Sequence, residues 1–314
     1  MAEEPSMTGI REEMERYLAI RRRLGFALER HGVVLADFVS YLEGSGIGHI
    51  TVESAMSWAT LPVNAHPAEA RQRLGVVRSF ARHLKTVDPA TEVPPQDLLR
   101  AHRDRVTPYL YSDVDIADLL GAARALKPGW RAATYETLIG LQAVTGARLG
   151  EILGLDGVDV DADAGLMVLR RTKRGEPREV HLHATTIEAL ARYCQIRDER
   201  WPNPATPSLF VSARGQRLGV GTVHDNFRHL VDQAGLQGRG ERCRPRPHDL
   251  RHTFAVRTLL DWYQSGADVE ANLPRLSTHL GHVDPTATYW YLQASPELFA
   301  VVAQRLDAYL GARS

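Results

Sequence analysis

The densest cluster of chemically capable side chains is Pro247-His248-Asp249-Leu250-Arg251-His252, followed at once by the apolar Phe254, Ala255 and Val256. His248 and His252 stand four apart, so a helix would carry both on one face, as zinc-binding helices do. A metalloprotease helix needs a glutamate directly after its first histidine. Here the shorter Asp249 stands there, with Leu250 and Arg251 behind it, and the guanidinium would oppose a dication. With His248 at a helix start and Arg251 one turn on, the pair is instead cationic and rich in hydrogen-bond donors, which suits an anion. Two further patterns have the same character. Thr145-Gly146-Ala147-Arg148-Leu149-Gly150-Glu151 sets an arginine just inside a helix start, with a carboxylate three residues later on the same face. Leu280-Gly281-His282 is followed nine residues later by Tyr291, within Thr288-Tyr289-Trp290-Tyr291. Taken singly, each has a purely structural reading: buried helix-start histidines, a surface Arg–Glu pair, an aromatic stripe in a helix core.

The charge distribution points to the same middle of the chain. The 38 Lys+Arg balance 38 Asp+Glu overall. Residues 164–259, however, hold seventeen basic against nine acidic groups, and both flanking stretches, 113–163 and 260–314, are net acidic. The cations are almost all arginine, whose planar fork matches phosphate; genomic base composition would produce the same bias. Only Lys85, Lys127 and Lys173 are lysines, so a lysine inside a cationic segment carries information. Cys194 and Cys243 sit in no metal-ligand or disulfide spacing. No apolar run is long enough to span a membrane, and the first residues are acidic where a secretory leader would be basic, so the expected address is the cytoplasm.

The elements that must position these groups fall into two parts. With 44% hydrophobic residues over 314 positions, the chain has core enough for two domains. Residues 10–90 read as a small helical domain, with apolar residues at spacings of three and four and breaks at Gly44-Ser45-Gly46 and between Pro62 and Pro67. The Pro-rich stretch 91–111 reads as a linker, and 112–314 as a second domain. In that domain Ser112 with Asp115 predicts a capping box, and Trp130 to Thr145 a helix ending at Gly146. Val158 to Val160, Leu166 to Leu169 and Arg178 to Leu182 predict short antiparallel strands. Helices are predicted after a cap at Thr185, over Val220 to Ala234, over Asp249 to Tyr263, and over 295–310 behind Ser295-Pro296-Glu297. The fold class is therefore mainly α with a small antiparallel β-sheet.

In order, TGARLGE, the TKRGEPREVHL hairpin, HDLRH, LGH and the following tyrosine resemble the catalytic domain of the tyrosine recombinase (phage integrase) family. The resemblance covers 113–310 well; 10–90 fits the family's helical core-binding domain by pattern only. It implies a mixed α/β catalytic domain whose site is Arg148, Lys173, His248, Arg251, His282 and Tyr291, with Glu151 in support. Tyr291, not Tyr289, has the family spacing from His282. It further implies cleavage and rejoining of double-stranded DNA through a 3′-phosphotyrosine, with neither metal nor nucleotide cofactor. The family's partners are inverted-repeat core sites and a homotetrameric synapse, in some members with accessory DNA-bending proteins, and integration or excision of a mobile element is the expected role. A type IB topoisomerase-like relaxing enzyme and a catalytically inactive DNA-binding regulator of the same fold are the alternatives.

Overall fold

The computed structural model describes residues 7–26, 28–62, 67–99, 107–170, 177–240, 243–282 and 286–293. Lys173 and the expected helix 295–310 lie outside these described residues. The chain divides into two compact units, Met1–Arg105 and Val106–Ser314. Among the described residues no helix is long and apolar enough to cross a membrane.

The first unit packs α1 (Met7–Arg23), α2 (Glu29–Gly44), α3 (Val52–Thr60) and α4 (Pro67–Leu84) around a common core. Apolar residues repeat at helical spacing, so Leu35, Phe38, Val39 and Leu42 of α2 meet Leu74, Val77, Phe80 and Ala81 of α4 in one buried cluster. Thr51 starts α3, its hydroxyl accepting from the Ser54 amide at 3.0 Å while the Ser54 hydroxyl accepts from the Thr51 amide. Trp58 is completed by its surroundings: its indole N–H donates to Asp37, and the Arg73 guanidinium lies 3.9 Å above its ring. Thr91 is buried in this unit, and Arg78 donates to the carbonyls of Pro94 and Pro95.

The second unit is built on α6 (Gly129–Thr145), which packs against α5 (Asp113–Arg124), α8 (Ala184–Arg200) and α10 (Pro247–Ser265). Leu138 and Ile139 are fully buried at its centre. The Ser112–Asp115 capping box is present at the start of α5. Tyr109 and Tyr111 belong to this core, the Tyr111 hydroxyl donating to the Arg246 carbonyl. Residues 91–111 thus contribute side chains to both units. After α7 (Leu149–Leu153) come β1 (Val160–Asp161), β2 (Leu166–Leu169) and β3 (Arg178–His181), a three-stranded antiparallel sheet in chain order. Met167 pairs with Val160 on one side and Val180 on the other. Met167, Leu169 and Val180 face the core, as strand alternation requires. Helices α9 (Val220–Gln233), α11 (Val269–Leu280) and α12 (Thr286–Gln293) follow.

Several boundaries differ from the sequence expectation. Helix α8 is capped by His183, whose Nδ1 accepts from the Thr185 amide, two residues ahead of the expected cap at Thr185. Helix α10 begins at Pro247, two residues early, because proline suits the first helical turn and Asp249 accepts from the Arg246 amide and guanidinium. Gly157 to Asp159 form a 3-10 turn where a strand was expected, leaving only Val160–Asp161 extended.

Candidate active site

The site is framed by two helix C-termini. Helix α6 ends at Gly146 with φ +62°, and a Cβ there would stand 2.5 Å from the Phe254 ring, so the turn into α7 needs glycine on both counts. Helix α11 ends at Gly281, also at φ +62°. The last three carbonyls at this end each accept from a different arginine. His279 accepts from Arg178 Nε at 2.8 Å, Leu280 from Arg251 Nη2 at 2.5 Å and Gly281 from Arg148 Nη2 at 2.9 Å. Arg251 Nη1 also donates to the Gly146 carbonyl at 2.9 Å, and His279 Nε2 lies 2.8 Å from the Thr145 carbonyl. Guanidiniums and imidazole thus take up carbonyls that helix ends leave open, where the backbone dipoles favour cations.

Glu151 organises two of these arginines. It is 4% exposed, and its carboxylate accepts from the Arg148 amide and Nη1 (2.9 and 2.7 Å) and from Arg178 Nη1 and Nη2 (3.0 and 2.6 Å). Burial alone would raise its pKa, but the Arg178 and Arg148 hydrogen bonds and the Arg178 charge outweigh it and hold the group at about 2. Arg251 is 1% exposed, and burial together with nearby Arg148 lowers its guanidinium to about 10.

Around this frame stand three imidazoles and a phenol. His248 is exposed at the start of α10, and desolvation against the site with the charges of Arg251, Arg148 and Arg246 lowers it to about 4. Burial and the charges of Arg251, Arg148 and Arg178 lower His282 to about 4 as well. Tyr291 is 2% exposed; its ring stacks on His282 (centroids 5.9 Å apart, planes at 17°) and tilts against His252 at 5.4 Å. Burial raises its phenol, and Arg251 and Arg148 oppose that rise. Tyr289, by contrast, is 49% exposed.

The structure therefore gathers Arg148, Glu151, His248, Arg251, His282 and Tyr291 at one place. Arg178, which sequence reasoning did not single out, belongs with them, and so does His252, which the helical spacing paired with His248 but which was not placed in the site. Arg178 opens β3 and reaches both Glu151 and α11; only the pairing of β3 into the sheet brings it there. His252 packs edge-on to His248 at 4.7 Å and to Trp290 at 5.3 Å, with burial first and then His248 and Arg246 lowering it to about 3. Its helical spacing from His248 was the available signal. Among the described residues no group of His, Cys, Asp or Glu side chains is arranged to hold a metal ion.

A helical frame gathers arginines, histidines and a buried tyrosine in one place, a set of donors and cations that could receive an anion. Residues 113–297 match the phage integrase family model, and the chain belongs to that family, the tyrosine-type site-specific recombinases. It is 43% identical to a putative integrase/recombinase, y4rB, of Sinorhizobium fredii, over 96% of this chain and 98% of that protein. It is also 28% identical to tyrosine recombinase XerC of Pelobacter propionicus, over 76% of this chain and 72% of that protein. Among solved structures its fold is similar to that of a lambda integrase tetramer bound to a Holliday junction. That match has a TM-score of 0.59 at 18% identity and covers 90% of this chain and 76% of that one.

Proposed function

We propose that this recombinase holds a scissile phosphodiester of duplex DNA against Arg148, Arg251 and His282 and attacks it with Tyr291. The observation that carries the reading is the arrangement of buried Arg251 beside buried Tyr291, both fixed before any substrate arrives. Each guanidinium has five N–H donors; the carbonyl and carboxylate contacts of Arg148 and Arg251 leave others to meet non-bridging oxygens. Because those contacts already hold the planes, little reorganisation is needed as negative charge develops. A phenol is mostly protonated at neutral pH, so the attack needs the cationic site to favour the phenolate and a base to take the proton. His248, neutral and solvent-exposed, suits that task. The bond from Tyr291 Oη to phosphorus forms as the bond to the 5′-oxygen breaks, and Lys173 supplies the proton that oxygen requires, since lysine titrates and arginine does not. The 3′-phosphotyrosine retains the phosphodiester bond energy, so a 5′-hydroxyl can reseal it without ATP.

By analogy with the lambda integrase tetramer bound to a Holliday junction, we assign other copies of this chain in a tetramer as partners; inverted-repeat core sites and mobile-element integration or excision are what the family resemblance implies. We assign to the helical unit formed by α1 to α4 the role of a core-binding DNA-binding domain.

The test uses paired core sites, a nicked suicide substrate and a supercoiled plasmid. A covalent protein–DNA adduct that persists in excess chelator, together with recombinant products from paired sites, supports the reading. Relaxation of the plasmid without recombinants would favour a topoisomerase-like activity, and binding without any adduct would favour an inactive regulator.

A further inference from the structure

His282 joins two elements. On one side it continues from α11, its amide donating to the Ser277 carbonyl at 2.9 Å beside the arginine-held end of that helix. On the other, its Nδ1 lies 2.7 Å from the Oγ1 of Thr288, on the helix that carries Tyr291. Thr288 is fully buried, three residues before Tyr291 and so about one turn away on the same side of α12. No role for Thr288 follows from the motif spacing, yet its hydroxyl meets the one ring nitrogen of His282 that decides how the other behaves.

A neutral imidazole carries one proton. Whichever nitrogen accepts a hydrogen bond leaves the proton on the other. An Nε2–H donates to an anionic oxygen; the opposite tautomer offers it a lone pair and repels it. Burial first, and then the charges of Arg251, Arg148, Arg178 and His248, oppose double protonation of the ring, so the tautomer matters here. Resting on the phosphate-binding reading above, we propose that Thr288 is a positioning residue. Its hydroxyl donates to His282 Nδ1, keeps the proton on the phosphate-facing Nε2, and makes that donor depend on α12 being seated.

The test is long-range nitrogen–proton correlation spectroscopy of the histidine rings in the full-length, DNA-free protein at pH 7.5, with His282 assigned from a His282→Gln variant. The proposal expects the Nε2–H form in the unaltered protein and in Thr288→Ser, and loss of that preference in Thr288→Val, which keeps the shape without the hydroxyl. Cleavage of a nicked substrate should be slowed about 10-fold or more in Thr288→Val and largely restored in Thr288→Ser, the size expected for an outer-shell partner. An Nδ1–H tautomer in the unaltered protein, or an unchanged tautomer in a folded Thr288→Val, overturns the proposal. So does equal slowing by both substitutions. If the unaltered protein forms no adduct, the strand-transfer reading fails, and the ring spectra still decide the role of Thr288.

Discussion

The two units treat charge in opposite ways. Among the described residues of the unit of α1 to α4 the buried polar side chains are Ser54 and Thr91, and ion pairs such as Arg11–Glu43 are partly exposed. In the unit of α5 to α12, Glu151, Asp159, Asp249 and Arg251 are all buried to 4% exposure or less. Burying an ion removes it from water at a cost of several kcal/mol unless partners replace the lost hydrogen bonds, and an apolar core would be at least as stable. The first unit therefore shows what stability alone asks of this chain, and the second shows what a rigid cationic site adds. The expense is limited by using backbone: helix-end carbonyls that need donors anyway hold Arg148, Arg178 and Arg251.

The comparison is broken most severely at Arg251. Arg251→Lys keeps the charge but cannot reach the Gly146 and Leu280 carbonyls together while presenting a fork to phosphate. The adduct rate on a suicide substrate should fall by about 100-fold or more, and chemical denaturation should show a loss of about 2 kcal/mol from unsatisfied carbonyls. Arg11→Lys, at the surface of the first unit, should leave both readings unchanged.

Acid titration separates the units next. Glu151, near 2 when folded and 4.5 when unfolded, contributes stability that is complete above the unfolded value and is lost as pH falls from about 4.5 towards 2. The full contribution is roughly 3 kcal/mol by proton linkage. His248 and His282, lowered to about 4, and His252, lowered to about 3, give a further loss that begins near 6.5 and overlaps the upper part of the Glu151 step, because the unfolded chain takes up protons first. Glu151→Gln should be less stable at neutral pH and should lose the lower step while keeping the upper one, followed by denaturant melts across pH. An unchanged lower step would assign it elsewhere.

The smallest contrast is between two left-handed glycines. Gly46, behind α2 at φ +67°, has nothing within 4 Å of the point an added methyl would occupy, so Gly46→Ala should cost only the conformational strain, about 1–2 kcal/mol. Gly146→Ala adds the collision with Phe254 and should cost about 1–3 kcal/mol more, with a slower adduct rate because the Gly146 carbonyl helps to hold Arg251. Equal melting shifts would show that Phe254 yields freely.

Which parts were readable follows from range. Arg148, His248, Arg251, His282 and Tyr291 lie within short motifs whose spacing survives folding, and Ser112 with Asp115 is a cap decided within four residues. Arg178 and Thr288 were not readable as partners of Glu151 and His282, because those contacts depend on strand pairing and on how α12 seats. Helix α11 escaped notice for a local reason: Pro274 lies inside it and weakens the helical signal, while buried Leu273, Leu276 and Leu280 hold it by packing. His183 displaced the expected Thr185 cap because its imidazole nitrogen accepts the Thr185 amide, which starts the helix before a Thr185 hydroxyl could cap it.

The most direct measurement of the central claim is adduct formation by Tyr291→Phe and Tyr289→Phe on the same nicked suicide substrate, with binding followed in parallel. Tyr291 is buried against His282 and close to Arg251, while Tyr289 is half exposed. The account predicts that Tyr291→Phe binds the site and forms no covalent adduct, and that Tyr289→Phe forms it at close to the normal rate. An adduct that persists in Tyr291→Phe and vanishes in Tyr289→Phe would contradict it.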